Sequence, residues 1–358
     1  VIKMSRQKVD MIVDLQYGST GKGLIAGYLA MKNEYDVVVN ANMPNAGHTF
    51  IDDRGNTMIH KVLPNGVVSP KCKYAMVGPG SVFSVDQLLK EMKQLDEFGY
   101  NHFQVVLHAR ATILQPRHAE AESHMDHIGS TKQGSAAAMI EKIMRGGENT
   151  DPTVGRAVAT HSLFHMTDEQ SIRDVHKYSQ RIIIADGIGW RKMLSDAENV
   201  LAEGAQGFSL GINERFYPYC TSRDCSPARF MSDMAIPLTM LRKVIGTART
   251  YPIRVGGTSG GWYPDQMETS WEKLELPQEL TTVTKKVRRV FTFSPEQIAE
   301  AVAMCQPDEV FLNFCNYTPM HHEIVDSIND ILKSDIGVPG AKVKYQGFGP
   351  TVNNIVEV

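Results

Sequence analysis

The stretch Gly18-Ser19-Thr20-Gly21-Lys22-Gly23 constrains the fold more than any other part of the chain. A β-branched run ending at Asp14-Leu15 leads into it, and the apolar Leu24-Ile25-Ala26 leaves it. Strand, glycine-rich turn and helix start, in that order, make a cradle for phosphate. Backbone N–H groups converge there, the helix N-terminus adds partial positive charge, and a lysine completes the cage. The spacing is G-x-x-G-K-G with no hydroxyl after the lysine, so it departs from G-x-x-x-x-G-K-[ST]. Such glycines also occur in plain strand-to-helix turns, and the loop alone is a weak signal.

The rest of the chain supports an α/β fold. Val9–Leu15, Asp36–Asn40, Tyr74–Val77, Phe103–Leu107, Asn199–Glu203, Lys243–Thr247 and Val310–Phe314 read as strands, and Val85–Phe98 has helical periodicity. That alternation predicts a mostly parallel central sheet with helices on both faces. With 358 residues, 42% of them hydrophobic, the chain can bury one large core. No linker divides it, so a single domain over 9–358 is expected. Residues 139–193, more charged and helical in pattern, read as an excursion over the sheet, and Gly256–Gly261 as the most mobile loop. A net charge of −3 gives no electrostatic footprint for nucleic acid. No apolar run reaches the ~20 residues of a membrane span, and the first residues lack a secretory leader. Five scattered cysteines suit free thiols in a reducing cytoplasm, and Cys220 and Cys225 lack a second pair for zinc.

Four further segments hold candidate chemistry. Asn45-Ala46-Gly47-His48-Thr49 follows the second strand. A lone histidine is usually structural, but Gly47 lets backbone approach a ligand, and His48 can pass a proton to a nucleotide oxygen. Glu203-Gly204-Ala205-Gln206-Gly207 follows a strand end, where open α/β sheets bind ligands. Tyr217-Pro218-Tyr219-Cys220-Thr221-Ser222 is turn-like and hydroxyl-bearing. Thr282 to Arg289 is cationic and hydroxyl-rich; such runs are usually solvated faces, yet this one suits a dicarboxylate and a triphosphate.

These motifs, in this order and at these intervals, resemble adenylosuccinate synthetase from about Val9 to the C-terminus. The resemblance implies that family's P-loop-related fold, Mg²⁺, a cytoplasmic homodimer (host cytoplasm if phage-encoded), and roles for individual residues. Lys22 would contact the transferred phosphoryl group, His48 would act as acid, Gln206 would bond the purine's 6-position, and Ser19 would stand at the catalytic-base position. The nucleoside monophosphate would meet Ser19, Asn45, Ser130, Thr131, Gln206 and Thr221, with Arg156 reaching a neighbouring subunit's site. Gly21, Lys22, Gly23, Thr49, Arg288, Asn313, Asn316, Gly347, Gly349 and Pro350 would hold the phosphoryl donor. Thr282, Thr284, Lys286 and Arg288 would grip L-aspartate, and Ser19 and Gly47 would face Mg²⁺. Lys286 stands where the family has an arginine, so the aspartate loop has charge without the planar fork.

Two departures redirect the substrate. The family's usual loop is Gly-Asp-Glu-Gly-Lys-Gly, and Ser19-Thr20 replaces Asp-Glu here. Ser19 is smaller and neutral, which leaves room for a 2-amino group. The late guanine-reading motif Thr-Lys-Leu-Asp corresponds to Leu312-Asn313-Phe314-Cys315-Asn316, so Cys315 replaces the carboxylate that pairs with guanine. The chain therefore resembles the phage branch of the family that acts on dGMP, with ATP or dATP as donor and Asn313 or Asn316 as adenine contacts. Asp14 is an alternative base for Ser19 plus water. Two other readings stay open: the ordinary activity on IMP with GTP, and a non-catalytic nucleotide-binding protein.

Overall fold

A computed structural model describes residues 7–45, 47–128, 130–145, 151–159, 177–281 and 285–358. Ten strands build the central sheet: β1 (Val9–Asp14), β2 (Val37–Asn40), β3 (Tyr74–Val77), β4 (Gln104–His108), β5 (Ile182–Ala185), β6 (Val200–Glu203), β7 (Leu241–Arg249), β8 (Glu309–Asn313), β9 (Lys342–Gly347) and β10 (Ile355–Glu357). Their spatial order is β10-β9-β8-β7-β1-β6-β2-β3-β4-β5. Every neighbouring pair is parallel except β9–β10. The seven expected strands are all present, with ends displaced by at most two residues.

Burial on both faces explains the continuous apolar runs of these strands. All six residues of β1 are buried. Alternation sends Ile12 to one core, with Leu24, Ile25 and Leu29 of helix α1 (Lys22–Asn33) and Leu88 and Met92 of Val85–Glu97. Val9, Met11 and Val13 face the opposite core, with Trp190, Phe230, Ile298 and Val302.

β1 lies between β6 and β7, and its following helix leads away to β2. Loops from the carboxyl ends of β1, β2, β6, β7, β8 and β9 therefore gather above the middle of the sheet, which is the place such sheets bind ligands.

Residues 139–193 are not one excursion over the sheet. Ile182–Ala185 is the edge strand β5, parallel to β4 from Val105↔Ile182 to His108↔Ala185. Its Ile-Ile-Ile-Ala run is a β-branched strand pattern hidden between charged helical stretches. Ser135–Met144, Val154–Ala159 and Gly187–Asp196 are helices, and 146–150 and 160–176 lie outside the described residues. The loop 256–261 is tethered. Arg289 Nη1 donates to Ser259 Oγ at 3.0 Å and to the Gly260 carbonyl at 2.6 Å, and Arg254 Nη1 donates to the Gly261 carbonyl at 3.1 Å.

Candidate active site

The loop after β1 is bent by three left-handed residues, Gly18 (φ 90°), Ser19 (φ 56°) and Gly21 (φ 94°). Gly21 caps α1, and a Cβ there would fall 2.2 Å from Asn313 Nδ2. Asn313 is wedged under the loop: its amide donates to the Thr20 carbonyl at 3.4 Å and accepts from Phe314 N at 2.8 Å. Both ends of that amide hold backbone, which leaves Asn316 as the exposed amide of this segment. Asp14 lies beneath the loop with its side chain fully buried. It accepts from Gln16 N at 2.9 Å, Gly18 N at 3.2 Å, the Thr20 hydroxyl, and Lys22 Nζ at 2.9 Å. A free base needs an open lone pair facing substrate, and Asp14 has none. Lys22 Nζ also donates to the Gln206 carbonyl at 2.7 Å. Gly207 allows this contact between loops, because a Cβ there would lie 2.3 Å from Gly18 N.

Across the cavity, His48 begins the hairpin His48–Ile51/Thr57–His60. Its Nδ1 lies 2.6 Å from Glu203 Oε1 at the end of β6. Asn65 fixes the carboxylate, its backbone N–H at 2.8 Å from Oε2 and its amide at 3.0 Å from Oε1. Burial alone would raise the Glu203 pKa, but the His48 contact and the Asn65 hydrogen bonds outweigh it and hold the carboxyl below its usual range. An ionised Glu203 accepts a hydrogen bond from His48 Nδ1–H and leaves Nε2 for the cavity. Glu203 is not among the residues expected from sequence to act in the site; its one signal is a carboxylate closing a buried strand.

His60 pairs with His48 across the hairpin and is wholly buried, which pushes its pKa down to about 4. Between pH 6.5 and 4 the unfolded chain therefore takes up this proton first, and stability falls as pH drops. The loss approaches about 3 kcal/mol for a group shifted this far. Thermal melts at pH 7 and pH 5 are expected to show it, with a smaller drop in His60→Gln.

A cavity of about 690 Å³ joins these parts. Of the residues expected in the site, Ser19, Gly21, Lys22, Gly23, Asn45, Gly47, His48, Thr49, Ser130, Thr131, Gln206, Thr221, Arg288, Asn313, Asn316, Gly349 and Pro350 line it. Gln206 is held at φ 67° and its amide reaches Asn45 Oδ1 at 3.2 Å. The Thr221, Ser222 and Ser135 hydroxyls are buried on the wall with no hydrogen-bond partner among the described residues. Three unsatisfied hydroxyls together call for a polar ligand; Ser135 and Ser222 were not anticipated.

Four expectations are placed elsewhere. Arg156, in Val154–Ala159, is not among the lining residues, and neither is exposed Lys286. Gly347 is buried at the end of β9 beside Asn313, and Cys315 turns into the apolar core, where its thiol lies 3.3 Å from the Leu312 carbonyl. Thr282 and Thr284 lie outside the described residues. At this far wall, Arg249 is fully buried, lies 3.9 Å over the Phe314 ring, pairs with Glu279 at 2.5 Å, and donates to the Ser19 carbonyl at 3.2 Å.

The adenylosuccinate synthetase family model matches residues 11–325. An N6-succino-2-amino-2'-deoxyadenylate synthase of Vibrio phage phiVC8 is 54% identical over 355 residues, covering 98% of each chain. Among solved structures, the cyanophage S-2L succinoaminodeoxyadenylate synthetase bound to dGMP and dATP as an energy donor superposes with a TM-score of 0.86 at 37% identity, over 99% of this chain and 96% of that one. The fully ligated adenylosuccinate synthetase of Plasmodium falciparum shares the fold, with a TM-score of 0.75 at 20% identity over 98% and 100% of the two chains.

Proposed function

Because the chain belongs to the adenylosuccinate synthetase family and is an enzyme of it, we propose that it joins L-aspartate to C6 of dGMP, using ATP or dATP, to give N6-succino-2-amino-2'-deoxyadenylate. The γ-phosphoryl moves to O6 of dGMP, aspartate's amine attacks C6, and phosphate leaves. Lys22 and the loop N–H groups meet the phosphoryl oxygens as charge builds. His48 Nε2 supplies a proton, oriented by Glu203, and Gln206 orients the base. Ser19 accepts from the 2-amino group or positions the water that takes the N1 proton. Thr221, Ser130 and Thr131 hold the monophosphate with Ser222 and Ser135. Arg288, which lines the cavity, grips aspartate with Thr282 and Thr284. The Ser19 hydroxyl and the Gly47 carbonyl are hard oxygen donors that would hold Mg²⁺, which would neutralise charge on the phosphates. The enzyme works as a homodimer, with Arg156 serving its partner.

The observation that carries the reading is the pairing of two neutral positions. Ser19 is an exposed hydroxyl on the cavity wall, and Cys315 is withdrawn from it. The first suits a 2-aminopurine. The second removes a carboxylate from the donor-base segment, whose lining residues are Asn313, Phe314, Asn316 and Tyr317. Phosphate release should be measured with L-aspartate and Mg²⁺, crossing dGMP, GMP and IMP with ATP, dATP and GTP. Turnover is expected on dGMP with ATP or dATP. Preference for IMP with GTP would overturn the assignment, and binding without turnover would make the protein non-catalytic.

A further inference from the structure

Asp14 takes no part in the chemistry above, and it does not line the cavity. Its carboxylate is nonetheless fully engaged. Oδ1 accepts the backbone N–H groups of Gln16 and Gly18, at 2.9 and 3.2 Å. Oδ2 accepts the Thr20 hydroxyl and Lys22 Nζ, the latter at 2.9 Å. Thr20 is backed in turn by the Thr247 hydroxyl at 2.5 Å. One buried charge thus holds the loop at its entrance, its middle and its lysine.

We propose that Asp14 is a positioning residue for phosphoryl transfer, which fixes the phosphate loop and the Lys22 ammonium in their working geometry before nucleotide arrives. An ammonium has three donors. Asp14 takes one and the Gln206 carbonyl takes a second at 2.7 Å, so one remains, on the cavity side, for a phosphoryl oxygen. The same ammonium ties the phosphate loop to the segment that bears Gln206, so Asp14 sets the distance between phosphate and purine subsites. A carboxylate that only shaped the turn would affect stability and leave turnover of the folded enzyme untouched.

The Thr20 hydroxyl touches Oδ2, so a longer acidic side chain at position 20 reaches the same place when position 14 carries none. This gives a relocation test with Asp14→Asn and the double variant Asp14→Gly/Thr20→Glu. Melting temperature, kcat and KM are measured with dGMP, L-aspartate and ATP. Misplacement of a reacting charge by about an ångström costs about 100-fold in rate, which is the fall in kcat expected for folded Asp14→Asn. The double variant is expected to recover to within about tenfold of the parent. A folded Asp14→Asn with kcat within about threefold of the parent overturns the proposal, and so does a folded double variant as slow as Asp14→Asn. If Asp14→Asn fails to fold, the double variant is compared with the parent alone: folded with kcat within about tenfold supports the proposal, and folded with kcat down about 100-fold overturns it. The turnover assay rests on the function proposed above. Should the parent chain be inactive on dGMP, that reading fails, and ATP binding by calorimetry then tests Asp14 separately. Affinity is expected to fall in Asp14→Asn and return in the double variant; unchanged affinity overturns the proposal.

Discussion

Glu203→Gln is expected to lower kcat about a thousandfold while the protein stays folded. Proton transfer by a positioned side chain contributes about 10²–10⁴-fold, and an amide in place of the orienting carboxylate stabilises the wrong imidazole tautomer. Glutamine can still bond His48 Nδ1 and Asn65, but it cannot be relied on to accept from Nδ1–H and stabilise the imidazolium. His48→Ala should cost a similar factor, and the two changes together little more, because the pair works as one unit. Steady-state phosphate release on the two single variants and the double variant checks this; additive losses would separate the roles. The pH dependence follows from the same pair. The Glu203 carboxyl is held below its ordinary value of 4.5. Its contribution to stability is therefore complete above that pH and is lost as pH falls through the lowered value.

Lys22→Met is expected to abolish measurable turnover, a loss of about a thousandfold or more, since it removes a charge aimed at the transferred group. It also strands Asp14. Removing one member of a buried ion pair costs about 3–5 kcal/mol, and the hydrogen bonds Asp14 keeps from Gln16, Gly18 and Thr20 place the expected loss near about 3 kcal/mol. Adding Asp14→Asn to Lys22→Met removes the stranded charge. Denaturant unfolding should then recover much of the stability, with no return of activity. Recovery of both would mean that Lys22 acts only through the fold.

The parts of this site that were legible in the sequence are those encoded locally. Gly18–Gly23, Gly47-His48 and Gly204–Gly207 each announce a backbone bend or close approach at a strand end. The parallel sheet was legible for the same reason, through β-branched runs buried on both faces. What was not legible depends on pairing at a distance. Glu203 meets His48 across 155 positions, and Arg249 meets Glu279 across 30. No local pattern marks either. Asn313 shows a different limit: an amide suits an adenine edge and a peptide equally well, and only the packed loop decides. Asp14 is the same case in acid form, since whether a carboxylate beside a loop is free or tied depends on which N–H groups the loop turns toward it. Ile182–Ala185 was lost inside a charged stretch, because a four-residue apolar run is too short to separate strand from helix.

The placement of β1 governs how the molecule can be made. Val9 leaves the ribosome long before its partners, Val200 on one side and Leu241 on the other. At about 5–20 residues per second, the ribosome takes on the order of ten seconds or more to deliver the first of them. Throughout that interval a strand built around Val9, Met11, Ile12 and Val13 has neither edge covered, the situation in which nascent chains associate wrongly. The phosphate loop hangs from the end of this strand, so it gains its frame only once β6 and β7 have been made. A fragment that ends before Val200 leaves β1 without either neighbour, and so leaves the phosphate loop without its frame.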